Sequence, residues 1–148
     1  MTKIFNSVFE MQLRILLLLS QSKRPFSKEE IVDYDFITVY GADFGIGDDN
    51  LHGENRLKYG EFASRHELAW IALKQLVVDG AVLVVTKNGF TYKISPEGMK
   101  HINALESAYA LDYRETARKV LQKYINYSEE DLDRIINEKT VASVRRDR

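Results

Sequence analysis

The chain has 148 residues, 45% of them hydrophobic, with 21 lysines and arginines against 22 aspartates and glutamates. A protein whose affinity comes mainly from phosphate contacts is usually strongly basic, so this near-neutral balance argues against an autonomous nucleic-acid binder. The length suits one domain, or one small domain with an extension, and zero cysteines exclude disulfides, thiolate chemistry and cysteine-ligated zinc.

The first apolar run, residues 15–19, is flanked by polar side chains and is far shorter than the roughly 18 residues that span a bilayer. The segment also lacks the basic start and small-residue cleavage site of a signal peptide. We therefore expect a buried first helix over residues 4–22, capped by Asn6 or Ser7, no membrane association and a cytoplasmic location.

Ser27 and Glu30 have the spacing of a capping box, which predicts a second helix that begins at Lys28 and ends before Gly41. A third helix is predicted from Ser64, because Glu67 repeats this spacing. Its polar side chains are expected to lie largely on the solvated face, away from the apolar positions. The basic and amide residues expected there are Arg65, His66, Lys74 and Gln75.

Gly80 follows the third helix where a left-handed cap is needed, and two strand-like runs then flank Asn88 and Gly89. An Asn-Gly pair favours a type I′ turn, so these runs predict a two-stranded hairpin. Alternation in the second run predicts that one of its faces packs against the core. The side chains expected on that face are Phe90, Tyr92 and Ile94.

Three further helical segments are predicted after the hairpin, starting near Pro96, Asp112 and Ser128. The fold class is therefore mainly α with a small β-hairpin: a winged helix-turn-helix body with additional C-terminal helices. We assign residues 1–110 to the winged-helix domain, with a long loop over residues 41–63. Residues 111–148 are assigned to a C-terminal helical extension with a polar, frayed tail.

The loop over residues 41–63 combines glycines and acids with large apolar side chains, which is unusual for a disordered linker. Its aromatic residues are candidates for a protein interface, with core packing as an equal alternative. Across the loop and its flanks these candidates are Tyr40, Phe44, Leu51, Tyr59, Phe62 and Trp70. An EF-hand interpretation fails because Tyr59 stands where a bidentate carboxylate is required.

Catalytic motifs are missing: the sequence has no Walker loop, no nucleophile elbow and no combination of its three histidines that makes a triad. We therefore expect a protein that is not an enzyme and has no cofactor or metal. One hypothesis is a DNA-reading regulator, which would be a homodimer that inserts the third helix into the major groove. Its contacts would be Arg65, His66, Lys74, Lys87, Asn88 and Lys93. The other hypothesis is an adaptor that binds protein subunits.

Four segments carry a resemblance to a known family: IFNSVFEMQLRILLLLS, DFITVYGADFGI, NLHGEN and FASRHELAWIALKQLVVDG. Together they resemble the middle component of the bacterial ABC three-component systems, a family allied to the Lamassu antiphage systems. The resemblance implies a non-catalytic winged-helix adaptor between an SMC- or Rad50-like ABC ATPase and a nuclease-type effector, with DNA as a possible further contact within the complex. It also implies contact regions at residues 50–55, which include Asn50, Leu51, His52, Glu54 and Asn55, and at residues 64–67.

Overall fold

The computed structural model describes residues 7–51 and 58–146, and within them the chain is mainly helical with one small antiparallel hairpin. This confirms the predicted fold class. The elements in chain order are α1 (Val8–Ser20), α2 (Lys28–Val39), α3 (Lys58–Val78), β1 (Val82–Val85), β2 (Thr91–Ile94), α4 (Pro96–Asn103), α5 (Ala108–Tyr124) and α6 (Glu129–Arg146). A 3₁₀ turn at Gly41–Phe44 follows α2.

The first two helices form the centre of the molecule, and their start signals are those predicted from the sequence. The Ser7 hydroxyl accepts from the Glu10 N–H at the start of α1. At the start of α2 the Ser27 hydroxyl accepts from the Glu30 N–H, and the Glu30 carboxylate accepts from the Ser27 N–H. All residues of α2 from 30 to 39 are buried, so this short helix packs against neighbours on every side.

Helix α3 begins six residues before its predicted start, so the expected capping box at Ser64 and Glu67 is wrong. Ser64 instead lies inside the helix on its exposed side. The additional turn packs: Phe62 meets the Phe36 ring of α2 edge-on, with ring centroids 4.9 Å apart. Burial of this aromatic pair favours continuation of the helix over a cap at Ser64. Residues 58–63 therefore belong to α3 and not to the loop.

The predicted hairpin is present, with Asn88 and Gly89 both at positive φ, 57° and 97°. Its register differs from that of a two-residue turn, because Val85 pairs with Thr91 and five residues connect the strands. Phe90 therefore lies in this connection, before β2 begins. Tyr92 is buried as predicted, whereas the expectation that Phe90 packs is wrong, since this side chain is 68% exposed.

A short third strand segment joins the hairpin to the turn between α1 and α2. The Phe26 N–H donates to the Tyr92 carbonyl at 3.0 Å, and the Tyr92 N–H donates back to the Phe26 carbonyl at 2.8 Å. Both side chains are buried. Strand β2 is therefore fixed to the segment just before the start of α2.

The C-terminal helices complete the same hydrophobic core. Helix α5 packs on α1 and α2, α6 packs on α2, and Tyr113, Leu132 and Ile136 are fully buried. The predicted division at residue 110 thus falls inside α5. The expected frayed tail is helical up to Arg146, and no helix among the described residues is both long and apolar enough to cross a membrane.

Candidate functional site

The outward-facing side of α3 carries an aromatic and aliphatic stripe. Trp70, Lys74 and Val78 recur every four residues, so they lie along one side of the helix. All three are exposed, and Val78 is 85% exposed. A large aliphatic side chain left this open at the end of a helix is typical of a binding surface when apolar neighbours accompany it.

Two lysines flank the exposed indole of Trp70. The Lys28 ammonium, from the start of α2, lies 5.0 Å from the ring centroid, and the Lys74 ammonium lies 5.3 Å from it. Both distances are within the range of a cation–π attraction, which fixes the ring and keeps two positive charges beside it. Trp70 is therefore an ordered surface anchor with basic neighbours.

The hairpin continues this apolar character beyond the end of α3. Leu83, Val84 and Phe90 are all exposed, and no acidic residue occurs between Gly80 and Pro96. We define the α3–hairpin surface as a set of exposed groups of α3 and the hairpin. It comprises Trp70, Lys74, Val78, Leu83, Phe90 and the basic side chains Lys87 and Lys93.

Most of the predicted DNA contacts are at the surface. Lys74, Lys87, Asn88 and Lys93 are exposed, the last three on the hairpin. His66 is half-buried and meets the Phe62 ring edge-on at 5.4 Å. These positions are compatible with contacts to either a protein or a nucleic acid.

Arg65 is the exception, and its predicted place on the solvated face of α3 is wrong. The residue is 3% exposed, its guanidinium donates to the Asp35 carboxylate at 3.1 Å, and it lies over the rings of Phe36 and Tyr40. Attraction to a buried carboxylate outweighs solvation of the guanidinium here. Arg65 therefore holds α3 on α2 and is not available to a phosphate.

Asp35 is the centre of a buried ion cluster that links four helices. Besides Arg65 it accepts from Arg14 Nε of α1 at 2.9 Å and from the Tyr113 hydroxyl of α5 at 2.7 Å. Arg14, Asp35 and Tyr113 are almost completely buried. The cluster fixes the positions of α1, α2, α3 and α5 relative to one another, and so sets the direction in which α3 presents its stripe.

Burial by itself would raise the pKa of Asp35, but the guanidiniums of Arg14 and Arg65 and the Tyr113 hydroxyl lower it by more. The pKa of this carboxyl is therefore below its usual value, and the group is ionised at neutral pH. Burial and the Asp35 charge both raise the pKa of Tyr113, which stays a hydrogen-bond donor. This cluster was not predicted from the sequence, although charged residues within apolar runs were a usable signal for it.

A second buried carboxyl lies at the contact between α2 and α6. Burial raises the pKa of Asp33 to about 9, and the nearby carboxyls of Asp133, Glu129 and Glu29 contribute in the same direction. Two ionised carboxylates cannot hydrogen-bond, whereas a neutral Asp33 can donate its proton to the Asp133 carboxylate. Asp33 is therefore protonated at neutral pH.

The predicted contact residues of the loop differ in their burial and contacts. Phe44 is buried, so it takes the core alternative, and its carbonyl accepts from the Lys123 ammonium of α5 at 2.8 Å. The Asn50 side chain accepts from the Ala42 N–H and donates to Asp43, which closes the loop on itself. Leu51 is half-buried against the core. His52, Glu54 and Asn55 lie outside the described residues, as does the side chain of Tyr59.

Across residues 7–51 and 58–146, no group of three or more histidine, aspartate or glutamate side chains is arranged to hold a metal ion. What these residues form is a mainly helical domain with a small hairpin, held by a buried ion cluster, with apolar and basic groups exposed on α3 and the hairpin.

Comparison with known families identifies the domain. The family model described as ABC-three component (ABC-3C) system Middle Component 2 matches residues 4–146, so the chain belongs to this family. No curated protein and no solved structure matches the chain. As the middle component of a multi-component system, it is one of several proteins that work together, and this confirms the predicted membership of an ABC three-component system.

Proposed function

We propose that this chain is a non-catalytic winged-helix adaptor. It bridges an SMC- or Rad50-like ABC ATPase and a nuclease-type effector in an antiphage complex of the Lamassu kind. Membership of the middle-component family supports a role within a multi-protein system. The identities of the ATPase and the effector, and the absence of catalytic activity in this chain, are our proposals.

The observation that carries the adaptor role is the apolar character of the α3–hairpin surface. Phosphates are bound by cations and amides, and exposed aliphatic groups add nothing to such contacts. Val78 and Phe90 are the most exposed apolar side chains of this surface. Arg65, a basic residue of α3, is buried. Tryptophan flanked by aliphatic groups and lysines is instead the composition of a protein-binding hot spot.

The winged-helix assignment is supported by the order of the elements. Three helices precede the hairpin, and the single bridge between Phe26 and Tyr92 adds a minimal third strand between α1 and α2. In this arrangement α3 takes the place of a recognition helix and the hairpin that of a wing. In a DNA-binding winged-helix protein this face enters the major groove; in the proposed adaptor the same face contacts a protein.

The experiment is co-expression of the tagged chain with the ABC ATPase and the effector encoded beside it. Val78→Asp and Phe90→Asp each place a charge on the proposed contact surface, and both side chains are exposed, so the core is left unchanged. We expect each variant to lose at least one subunit from the purified complex, because an unpaired charge is costly in an apolar interface.

Leu111→Asp is the matched control, since Leu111 of α5 is also an aliphatic side chain and is 50% exposed. This variant should retain both subunits. If Val78→Asp and Phe90→Asp also retain both, while circular dichroism shows all variants folded, the α3–hairpin surface is not the docking site.

A winged-helix DNA-binding regulator is the second candidate, and the acid-free hairpin with Lys87 and Lys93 favours it. A regulator of this kind would be a homodimer that binds duplex DNA with a steep dependence on salt. Lys87→Glu combined with Lys93→Glu would then abolish DNA binding. Under the adaptor proposal the purified chain alone binds duplex DNA weakly or not at all, and the double variant changes little.

A further inference from the structure

A cleft on another part of the molecule has the size and lining of a ligand site. It has a volume of about 630 Å³ and lies between the turn that follows α1 and the last turns of α5. Sites for small ligands or a few peptide residues are commonly of this size. The turn contributes Ser22, Lys23 and Arg24 to the lining, and α5 contributes Arg118, Leu121 and Gln122.

The wall formed by the turn is rigid. The Arg24 guanidinium donates to both carboxylate oxygens of Glu30, at 2.7 and 3.2 Å, and reaches the Ile125 carbonyl of α5 at 3.5 Å. The Ser22 hydroxyl accepts from the Arg24 N–H and donates to the Arg24 carbonyl. The bond to Ile125 joins the two walls of the cleft, while the bonds to Glu30 and Ser22 hold Arg24 and the turn in place.

The charges at the cleft have one sign. Among the described residues that line it, every charged side chain is a cation: Lys23, Arg24 and Arg118. Lys23 is exposed, and Arg118 is paired only with Glu115, one turn earlier on the surface of α5. A surface pair of this kind is weak, so the guanidinium can exchange its partner for an incoming carboxylate.

The floor of the cleft is apolar, and amides lie along its edge. Leu121 and Ile125 provide the floor, and Gln122 and Asn126 provide donors and acceptors beside it. A free inorganic anion would use the cations and leave the floor empty. A peptide segment would use both, since an apolar side chain can rest on Leu121 while flanking carboxylates reach Lys23 and Arg118.

We propose that this cleft binds a short acidic peptide segment with an apolar anchor residue, contributed by a partner subunit. The inference depends on the proposed adaptor role only for the source of the segment. It gives the adaptor a second docking site in addition to the α3–hairpin surface, as a bridge between two proteins requires.

The test uses the isolated full-length chain, labelled with ¹⁵N, and the acetylated pentapeptide Glu-Leu-Asp-Leu-Glu as the probe. We expect amide resonances of the turn and of the end of α5 to shift at millimolar or lower peptide concentration. Arg118→Glu and Lys23→Glu, on opposite walls, should each weaken binding roughly tenfold, since each replaces an attraction by a repulsion.

Arg134→Glu is the matched control, because Arg134 of α6 is an exposed arginine in the same kind of pair, with Asp131 one turn earlier. This variant should bind the peptide as the wild type does. The proposal is overturned if no resonances of the cleft shift, or if all three variants bind equally. It is also overturned if a short oligothymidylate shifts these resonances and the peptide does not.

Failure of this titration leaves the adaptor proposal intact, because the Val78→Asp and Phe90→Asp experiment concerns different residues and uses the complete complex. Conversely, peptide binding at the cleft would persist if the α3–hairpin surface turned out not to be a docking site. The two proposals can therefore fail separately.

Discussion

Asp35 is the residue on which the arrangement of the helices depends most. One carboxylate accepts hydrogen bonds from α1, α3 and α5. The helix that carries the proposed docking stripe is thus positioned by a charge that solvent does not reach. Stability and the orientation of the proposed docking surface are coupled at this residue.

Asp35→Asn should destabilise the fold strongly. The substitution removes the carboxylate charge that faces the buried guanidiniums of Arg14 and Arg65, and breaking a buried pair in this way costs about 3–5 kcal/mol. Tyr113→Phe removes one neutral donor and should cost about 1–2 kcal/mol. Urea unfolding at neutral pH measures both. Equal stability of wild type and Asp35→Asn would show that the cluster contributes nothing.

The pH dependence of this effect has a definite sign. Because the pKa of Asp35 is lower in the folded chain than its usual value of 3.8, its contribution is present above that pH. The contribution is lost as the pH falls through the folded-state pKa. The difference in unfolding free energy between wild type and Asp35→Asn should therefore shrink only in strong acid.

Asp33→Asn should have the opposite effect and stabilise the protein at pH 7. The folded chain retains a proton on Asp33 up to about pH 9, whereas the unfolded chain releases it near pH 3.8. Stability from this group is full in acid and is lost as the pH rises between these values. The asparagine variant has no proton to retain, and its amide can donate to Asp133.

The advantage of Asp33→Asn over wild type should therefore grow from pH 4 to pH 9, measured by thermal unfolding across that range. Asp112→Asn, on the exposed side of α5, serves as the control and should show little pH-dependent change. A variant that is less stable than wild type at pH 7 would contradict the assignment of a neutral Asp33.

At this scale the sequence predicted several helix caps correctly, with Ser64 as the exception, but it did not reveal which residues pair with the buried charges. Ser7, Ser27, Ser95 and Ser128 each accept from the backbone N–H three residues on, because a cap depends on neighbours in the chain. The partners of Asp35 come from residues 14, 65 and 113, and no local pattern links such distant positions. The same limit explains why Arg65 was assigned to the solvated face.

Among the elements, α4 packs so closely against the start of the hairpin that the contact has no space for a larger side chain at Gly98. The Ser95 hydroxyl donates to the Gly80 carbonyl at 2.6 Å and accepts from the Gly98 N–H at 3.0 Å. A Cβ at position 98 would lie 2.3 Å from the Ala81 carbonyl oxygen and 2.9 Å from Ile94. Glycine is therefore required there for close packing.

Gly98→Ala should lower the free energy of unfolding by about 1–3 kcal/mol, because backbone must move to admit the methyl group. Gly80→Ala is the comparison: Gly80 has φ of +80° and open space around it, so its cost is conformational only, about 1 kcal/mol. Each kcal/mol corresponds to a fall of about 2–4 °C in Tm for a chain of this size. A smaller loss for Gly98→Ala than for Gly80→Ala would contradict the close packing of α4.

The elements themselves followed from the sequence better than their boundaries. Apolar periodicity and the Asn88-Gly89 pair predicted the helices and the hairpin, because both signals act over a few residues. The early start of α3 depends on the contact of Phe62 with Phe36, 26 positions apart, and β2 is also held by the bridge from Phe26 to Tyr92. Local sequence patterns cannot predict element boundaries that such tertiary contacts determine.

For the whole molecule, the resemblance of four short segments predicted the family, and the match over residues 4–146 confirms it. Composition and charge alone left the choice between a DNA reader and an adaptor open. The exposed Val78 and Phe90 and the buried Arg65 favour the adaptor. Which side chains of α3 are exposed depends on how the helix packs, and composition does not show this. The relationship to Lamassu systems and the identities of the partners stay predictions, because the sequence of one chain does not specify which proteins bind to it.

The central claim is that the chain physically bridges two other proteins. Mass photometry of the proposed ABC ATPase and effector, mixed with and without this chain, tests that claim most directly. We expect a complex that contains all three proteins only when the chain is present, and its loss with Val78→Asp but not with Leu111→Asp. If the ATPase and the effector associate equally well without the chain, or if neither binds it, the chain is not a bridging adaptor.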